Sequence, residues 1–459
     1  MIASVFAAAI GYGLLRMPVQ VYDSVDEIID AQSSPSVRDA FWSALVEDTT
    51  HIRALRAAQT KLLFDLADGR YRLAYRGFHA ALLLAAFLLF TRALRVRTPA
   101  ELAAAAFALA VLMGLHTFRG TVQEAFPINH FLEVVVFCLV TLTLAQSRGG
   151  VAADVAAALT LAAAALTLES GLLAWVVAVA AWLAGFRGIS VRGLALMTVV
   201  LAAYFYLRIG YLSIAPPAPG ERSSGFLLAM LEPAELQARF GALPLVFHAY
   251  NVLASVLSVL LSEPQNGVFR GVRAVVDGDV PPRVWLEAGS SAATTALVVW
   301  AGVQAARGRA VRDDASRLIV VAAAVLAANA AMAFAYTKDE IVSAAGAFYA
   351  MAAYAAVREV LRRAATLRPV AGVVAGLLLF ALAGAWVVRS AGVHHVLRTQ
   401  AFKHRNDWGV LPPLWKARGQ WPGDPERRRL VLQLRDEALA WPAPNPRFEP
   451  RWAYRWWGE

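Results

Sequence analysis

Charge is scarce in this chain. Asp, Glu, Lys and Arg make up 17% of 459 residues, while 59% are hydrophobic and the mean hydropathy is +0.53. A soluble domain usually carries about 25% charged and about 45–50% apolar residues, so an ordinary water-soluble globule of this size has no room for the excess. Cysteine is nearly missing. Its one thiol, Cys138, lies in an apolar run, which excludes an intramolecular disulfide and a thiol-based metal site. Lysine is rare as well: of 43 basic residues only Lys61, Lys338, Lys403 and Lys416 are lysines. The net charge of +10 is therefore an arginine charge, placed between apolar runs and in the tail. Membrane topology accounts for that placement, and nucleic acid is not implied. The first apolar stretch lacks a basic n-region and is followed by no convincing cleavage site, so it reads as a helix rather than a secretory signal. There is no internal repeat and no Gly/Ser linker.

What the chain does have is long apolar runs, near 2–20, 78–91, 102–118, 130–146, 151–168, 170–185, 194–213, 243–262, 290–306, 318–336, 341–357 and 370–388. Such runs read as membrane-spanning helices. Five short connectors carry arginines: Arg92, Arg95 and Arg97; Arg148; Arg187 and Arg192; Arg307, Arg309, Arg312 and Arg317; Arg358, Arg362, Arg363 and Arg368. The positive-inside rule puts all five in the cytoplasm. With the amino terminus inside, this works only if 243–262 does not span. The sequence thus predicts an all-α polytopic protein of the cell (inner or plasma) membrane with about eleven transmembrane helices. Residues 1–389 form the membrane region, with external loops 21–77 and 214–289 carrying interfacial helices. Residues 390–459 form a small external tail, which holds seven of the thirteen tryptophans. Long segments lie outside and short ones inside, so function is expected at the external face.

The first external loop opens with Asp23, Ser24, Val25, Asp26, Glu27 and, three residues on, Asp30. The four acids are spaced to share one helix face. At headgroup depth they suit a general base or a divalent cation. Ser24 and Glu27 also have capping-box spacing, which leaves Asp26 without a structural task. The second external loop holds His116, Arg119, Glu124, Asn129 and His130, with Glu124 as a second carboxylate. Glu169 stands with Ser170 and Gly171 between two apolar runs, either near mid-membrane or in a tight external turn. Lys338 is isolated in the polar break Tyr336 to Glu340 and suits a phosphate, as does Arg208 at the outer end of its run. His248 belongs to a polar stripe on 243–262.

These features resemble the GT-C superfamily of polytopic glycosyltransferases, in its protein O-mannosyltransferase-like branch. The resemblance rests on the acidic first loop around Asp23 and Asp26, the second acidic loop with Glu124, the Glu169-Ser170-Gly171 segment and the later break with Lys338. Leu168 replaces the usual lysine before Glu169, and Lys338 stands where relatives often have arginine. The resemblance implies transfer of a sugar from a polyprenyl-phosphate donor lipid to an acceptor hydroxyl at the external face. It implies Asp26, Asp23 and Glu124 as catalytic acids, Lys338 and Glu169 as substrate-binding residues, and Mg²⁺ or Mn²⁺ held by Asp23 and Glu124; Arg208 and His248 join the substrate-binding candidates from their own positions. The rival readings are a secondary transporter coupled through Glu169, a lipid-linked glycan ligase or polymerase, and a non-catalytic membrane scaffold.

Overall fold

Capping chemistry sets where several helices begin. Thr98 and Glu101 form a capping box with Pro99 at the first helical position of α6 (Pro99–Gly114). Asn129 caps α8 (His130–Ala145) and Ser190 caps α11 (Val191–Phe205). Asp313 and Ser316 box the start of α15 (Asp314–Met332). The computed structural model describes residues 2–21, 23–46, 51–214, 233–241, 245–261, 274–280, 282–308, 313–335, 337–366, 368–419, 421–443 and 445, without the side chains of residues 2, 3, 23 and 233. Among the described residues the chain is helical and contains no strand.

Among the described residues five helices are long and apolar enough to cross a bilayer: Tyr71–Leu94 (α5), Val191–Tyr211, Asp314–Met332, Asp339–Ala364 and Pro369–Ala417. The number rises to seven if each of two bent pairs is one span. Four more apolar helices, Ser4–Arg16, His130–Ala145, Val151–Thr167 and Glu169–Leu183, are shorter. At 1.5 Å per residue they measure about 20–26 Å, under the roughly 30 Å of a hydrocarbon core. Among the described residues the twelve apolar runs thus give five to seven helices of full spanning length, and caps and turns keep the four shorter ones below it.

Packing centres on α16 (Ser343–Ala364), whose residues from Ser343 to Val357 are all buried. Its Ala and Gly faces let neighbouring backbones approach closely, the usual packing mode of membrane helices. It lies against α15, α6, α8 and α14 (Pro282–Ala306).

The five arginine connectors meet at one end of the bundle. Arg95 pairs with Asp314 and donates to the Gln146 carbonyl. Gly188 N donates to Ala145 O at 2.8 Å. Asp154 accepts from Ser190 N and Oγ at 2.8 and 2.6 Å. Arg317 lies 5.4 Å from the Phe186 ring centre, and Arg358 bridges Glu101 and Asp313. This is the arginine end; the polar loops gather at the other, far end.

One local expectation changes there. α2 (Asp23–Ser33) starts at Asp23, so Ser24 sits buried inside its first turn and Glu27 pairs with Arg56 instead of closing a capping box. α17 (Pro369–Ala417) runs for 49 residues, about 73 Å. Its distal half and α18 (Pro425–Leu439) form a second core with α2, α4 (Ala54–Ala67) and the start of α5, built from Val21, Val25, Ile28, Tyr75, Trp408 and Leu434 among others. Trp408 is fully buried and donates from Nε1 to Val19 O at 2.7 Å. The run at 243–262 becomes α13 (Leu245–Leu260), which lies along the polar break. His248, Asn251, Ser255 and Ser258, spaced on one helix face, reach Phe334 O at 3.1 and 2.9 Å, Thr337 Oγ1 at 2.8 Å and Asp339 Oδ1 at 3.1 Å.

Candidate functional site

Loop 124–129 at the far end is built on a buried arginine. Arg76, in the second turn of α5, is fully buried and donates to Ala125 O at 3.0 Å and to Phe126 O. It also lies 3.2 Å from His79 Nδ1, one turn further along the helix. Asn129 Nδ2 approaches His79 Nε2 at 2.9 Å and Thr121 O at 2.7 Å, while its Oδ1 accepts from Leu132 N at 3.0 Å. An arginine and an amide thus satisfy the loop carbonyls that burial would otherwise orphan.

This clamp presents an aromatic cluster between two cations. The His130 ring lies 5.1 Å from Phe126 and 4.3 Å from Phe131. Arg56 stands 5.1 Å from the Phe126 ring centre and Lys338 5.6 Å from that of Phe131, within cation–π range. Arg56 is buried and paired with Glu27. Beneath it, Gln59 Nε2 donates to Glu133 Oε1 at 2.7 Å, and Glu133 Oε2 has no hydrogen-bond partner among the described residues.

Lys338 also joins two carboxylates, at 3.1 Å from Glu124 Oε1 and 3.5 Å from Glu340 Oε2. Gly120 of α7 (His116–Gln123) allows this approach: a Cβ there would meet Glu340 Oε1 at 3.1 Å and Asp339 Cβ at 3.4 Å. Burial and the facing Glu340 push the Glu124 carboxyl up to about 7, against the pull of Lys338. Two acids sharing one cation hold a proton that moves near neutral pH, which is what a general acid or base requires.

A second cluster surrounds Glu169. Its Oε1 lies 2.8 Å from His51 Nδ1 and 3.3 Å from Arg208 Nη1, and its Oε2 lies 4.0 Å from Arg53. The turn Glu169–Leu172 folds back on α9 (Val151–Thr167) so tightly that a Cβ at Gly171 would stand 2.0 Å from Ala164 O. Glu169 therefore occupies a turn at the far end of the bundle and not mid-helix.

Of the residues picked from sequence, Glu124 and Lys338 are brought together, and so are Glu169 and Arg208. Asp26 is exposed on α2, where its charge helps burial to raise Asp30. His248 reaches the Phe334 carbonyl. The Asp23 side chain and Tyr336 lie outside the described residues. No group of three His, Cys, Asp or Glu residues suited to a metal occurs among the described residues, and Glu124 faces the Lys338 ammonium group. Sequence reading missed Arg56, Arg76, His79, Glu133 and Glu340 as parts of this site. The i, i+3 pair Arg76 and His79 was the available signal: two polar groups on one face at the mouth of an apolar run.

No protein-family model matches the chain, and neither a curated protein nor a solved structure does.

Proposed function

We propose that the protein is a membrane glycosyltransferase that moves a sugar from a polyprenyl-phosphate donor to an acceptor hydroxyl at the external face. The observation carrying this reading is the pairing of a carboxyl that titrates near neutral, Glu124, with Lys338 and the neighbouring Arg56 around one aromatic cluster. Glu124, facing Glu340, takes the acceptor proton as the hydroxyl attacks the anomeric carbon and the bond from that carbon to the phosphate oxygen breaks. Lys338 and Arg56 meet the charge that grows on the departing phosphate. Asp26, on the adjoining acidic helix, is the alternative base, with Asp23 beside it. In this reading the arginine end faces the cytoplasm, the four short apolar helices together with Pro99–Gly114 and Pro282–Ala306 complete eleven crossings with local bilayer thinning, and residues 390–459 lie outside.

Purified full-length protein in liposomes, given a polyprenyl-phosphate hexose, should release polyprenyl phosphate and glycosylate an added acceptor. An intact donor, alongside solute uptake by the same vesicles, overturns the transferase reading in favour of a transporter. A second reading, a lipid-linked glycan ligase, is favoured by the arginines Arg53 and Arg56 that the first loop contributes. Consumption of an oligosaccharide diphosphate lipid but not the monosaccharide donor would select it.

A further inference from the structure

The cluster around Glu169 draws donors from three separate stretches of chain. His51 and Arg53 come from the segment before α4, Glu169 from the turn after α9, and Arg208 from the end of α11. Arg208 lies in a π-helical turn, Tyr206–Tyr211. Such turns are rare and occur often at functional sites. Here the wider turn leaves Arg208 directed at Glu169 and at Tyr204 Oη, 3.1 Å away, with its side chain only 11% exposed. A snorkelling arginine would extend into water; this one turns inward. His51, Arg53 and Glu169 stay 26%, 25% and 29% exposed, so the cluster opens on one side.

Aromatic residues mark its depth. Phe205, Tyr206 and Tyr211 are 44%, 72% and 70% exposed at the end of a helix long and apolar enough to span. Exposed aromatic rings at the end of a spanning helix belong to the headgroup layer. Two planar guanidinium groups and an imidazole converging at that depth match the oxygens of a phosphate ester, which arginine forks bind in bidentate fashion. Glu169 holds the three donors in register.

We infer that His51, Arg53 and Arg208 form a lipid-phosphate site, separate from the Glu124–Lys338 pair. Its ligand is the phosphate of a membrane lipid whose chain runs down the outside of α11.

The test is direct binding to full-length protein in detergent, by native mass spectrometry or microscale thermophoresis, with geranylgeranyl phosphate as probe and geranylgeraniol and inorganic phosphate as controls. Arg208→Gln should weaken geranylgeranyl phosphate at least tenfold and leave geranylgeraniol unchanged. Lys338→Gln, which removes a cation that the transferase reading sets against the donor phosphate, should leave this site occupied, and Arg208→Gln is read in that background so that the donor site does not mask the loss. Glu169→Gln distinguishes a ligand site from a structural latch. Removing the competing carboxylate should keep or tighten phosphate-lipid binding, whereas a latch loses stability and gains no affinity. If Arg208→Gln fails to fold, Arg208→Lys and Glu169→Gln carry the test, with Arg208→Lys expected to bind less tightly than wild type. Unchanged binding in the Arg208 variant, or loss of binding in a folded Glu169→Gln, overturns the proposal. Inorganic phosphate binding as tightly as the lipid phosphate overturns the lipid assignment.

Discussion

At the arginine end, Arg358 lies between Glu101 and Asp313; at the far end, Lys338 lies between Glu124 and Glu340. The two arrangements look alike on paper. Glu101 and Asp313, however, are capping residues that accept from backbone N–H groups: Arg97 N at 2.8 Å for Glu101 and Ser316 N at 3.0 Å for Asp313. Their geometry is already determined by helix ends, and the arginine adds to it. Glu124 has side-chain partners, Lys338 and the opposing carboxylate Glu340. A carboxylate fixed by backbone donors serves the fold, whereas one that faces another acid across a shared cation has a proton to give and take. The same residue types therefore do different work at the two ends of one bundle.

The sharpest way to break that comparison is Glu124→Gln. It should lower sugar transfer by about 10²–10⁴, the range for loss of a general base, with the protein still folded and inserted. In the wild type the rate should climb as pH rises through about 7, because the basic form appears above the raised Glu124 value; the Gln variant should lack that limb. Asp26→Asn run beside it decides between the two acids. Full loss there, with turnover retained in Glu124→Gln, moves the base to α2.

Lys338→Ala comes next. Without the ammonium the two carboxylates repel more strongly, so the rising limb of the pH–rate profile should move to higher pH. Donor use should fall roughly tenfold or more, as expected for losing a charged hydrogen bond, while Lys416→Ala at the end of α17 serves as the silent control. Equal behaviour of the two variants would reduce Lys338 to a structural ion.

Arg76→Met attacks the clamp rather than the chemistry. Each buried carbonyl it orphans costs about 1–3 kcal/mol, so the melting temperature should fall and loop 124–129 should exchange its amides faster. Unchanged exchange in that loop would show that other contacts hold it. The smallest effect belongs to Arg358→Ala. Its side chain is 29% exposed, and such pairs contribute roughly 0–1 kcal/mol; transfer should not change. A large loss of transfer would mean that the two ends are coupled through α16.

The far end was only partly legible in the sequence. Glu124, Lys338, Glu169 and Arg208 stood out because an isolated charge between apolar runs is conspicuous. Which of them meet was not visible, since Glu124 and Lys338 are 214 positions apart. Arg76 and Arg56 escaped notice because the first lies where a loop gives way to an apolar run and the second in an ordinary amphipathic stretch. Burial makes both important, and burial is a property of the neighbours. The Ser24 capping box shows the opposite error. The local spacing was right, but Arg56 offered Glu27 a stronger partner than a backbone N–H.

Composition and hydropathy alone determined that this is a helical protein suited to a membrane, because 59% apolar residues in long runs leave few other ways to satisfy a backbone. Arginine placement likewise marked five connectors that gather at one end. Only tertiary structure decided that the tail and the first loop share a core, that α13 lies along the 334–339 break, and that carboxylates from two distant loops share one lysine. The reason is physical: periodicity and capping act over a few residues and are written locally, whereas the state of a buried charge depends on whichever groups the fold brings within a few ångströms.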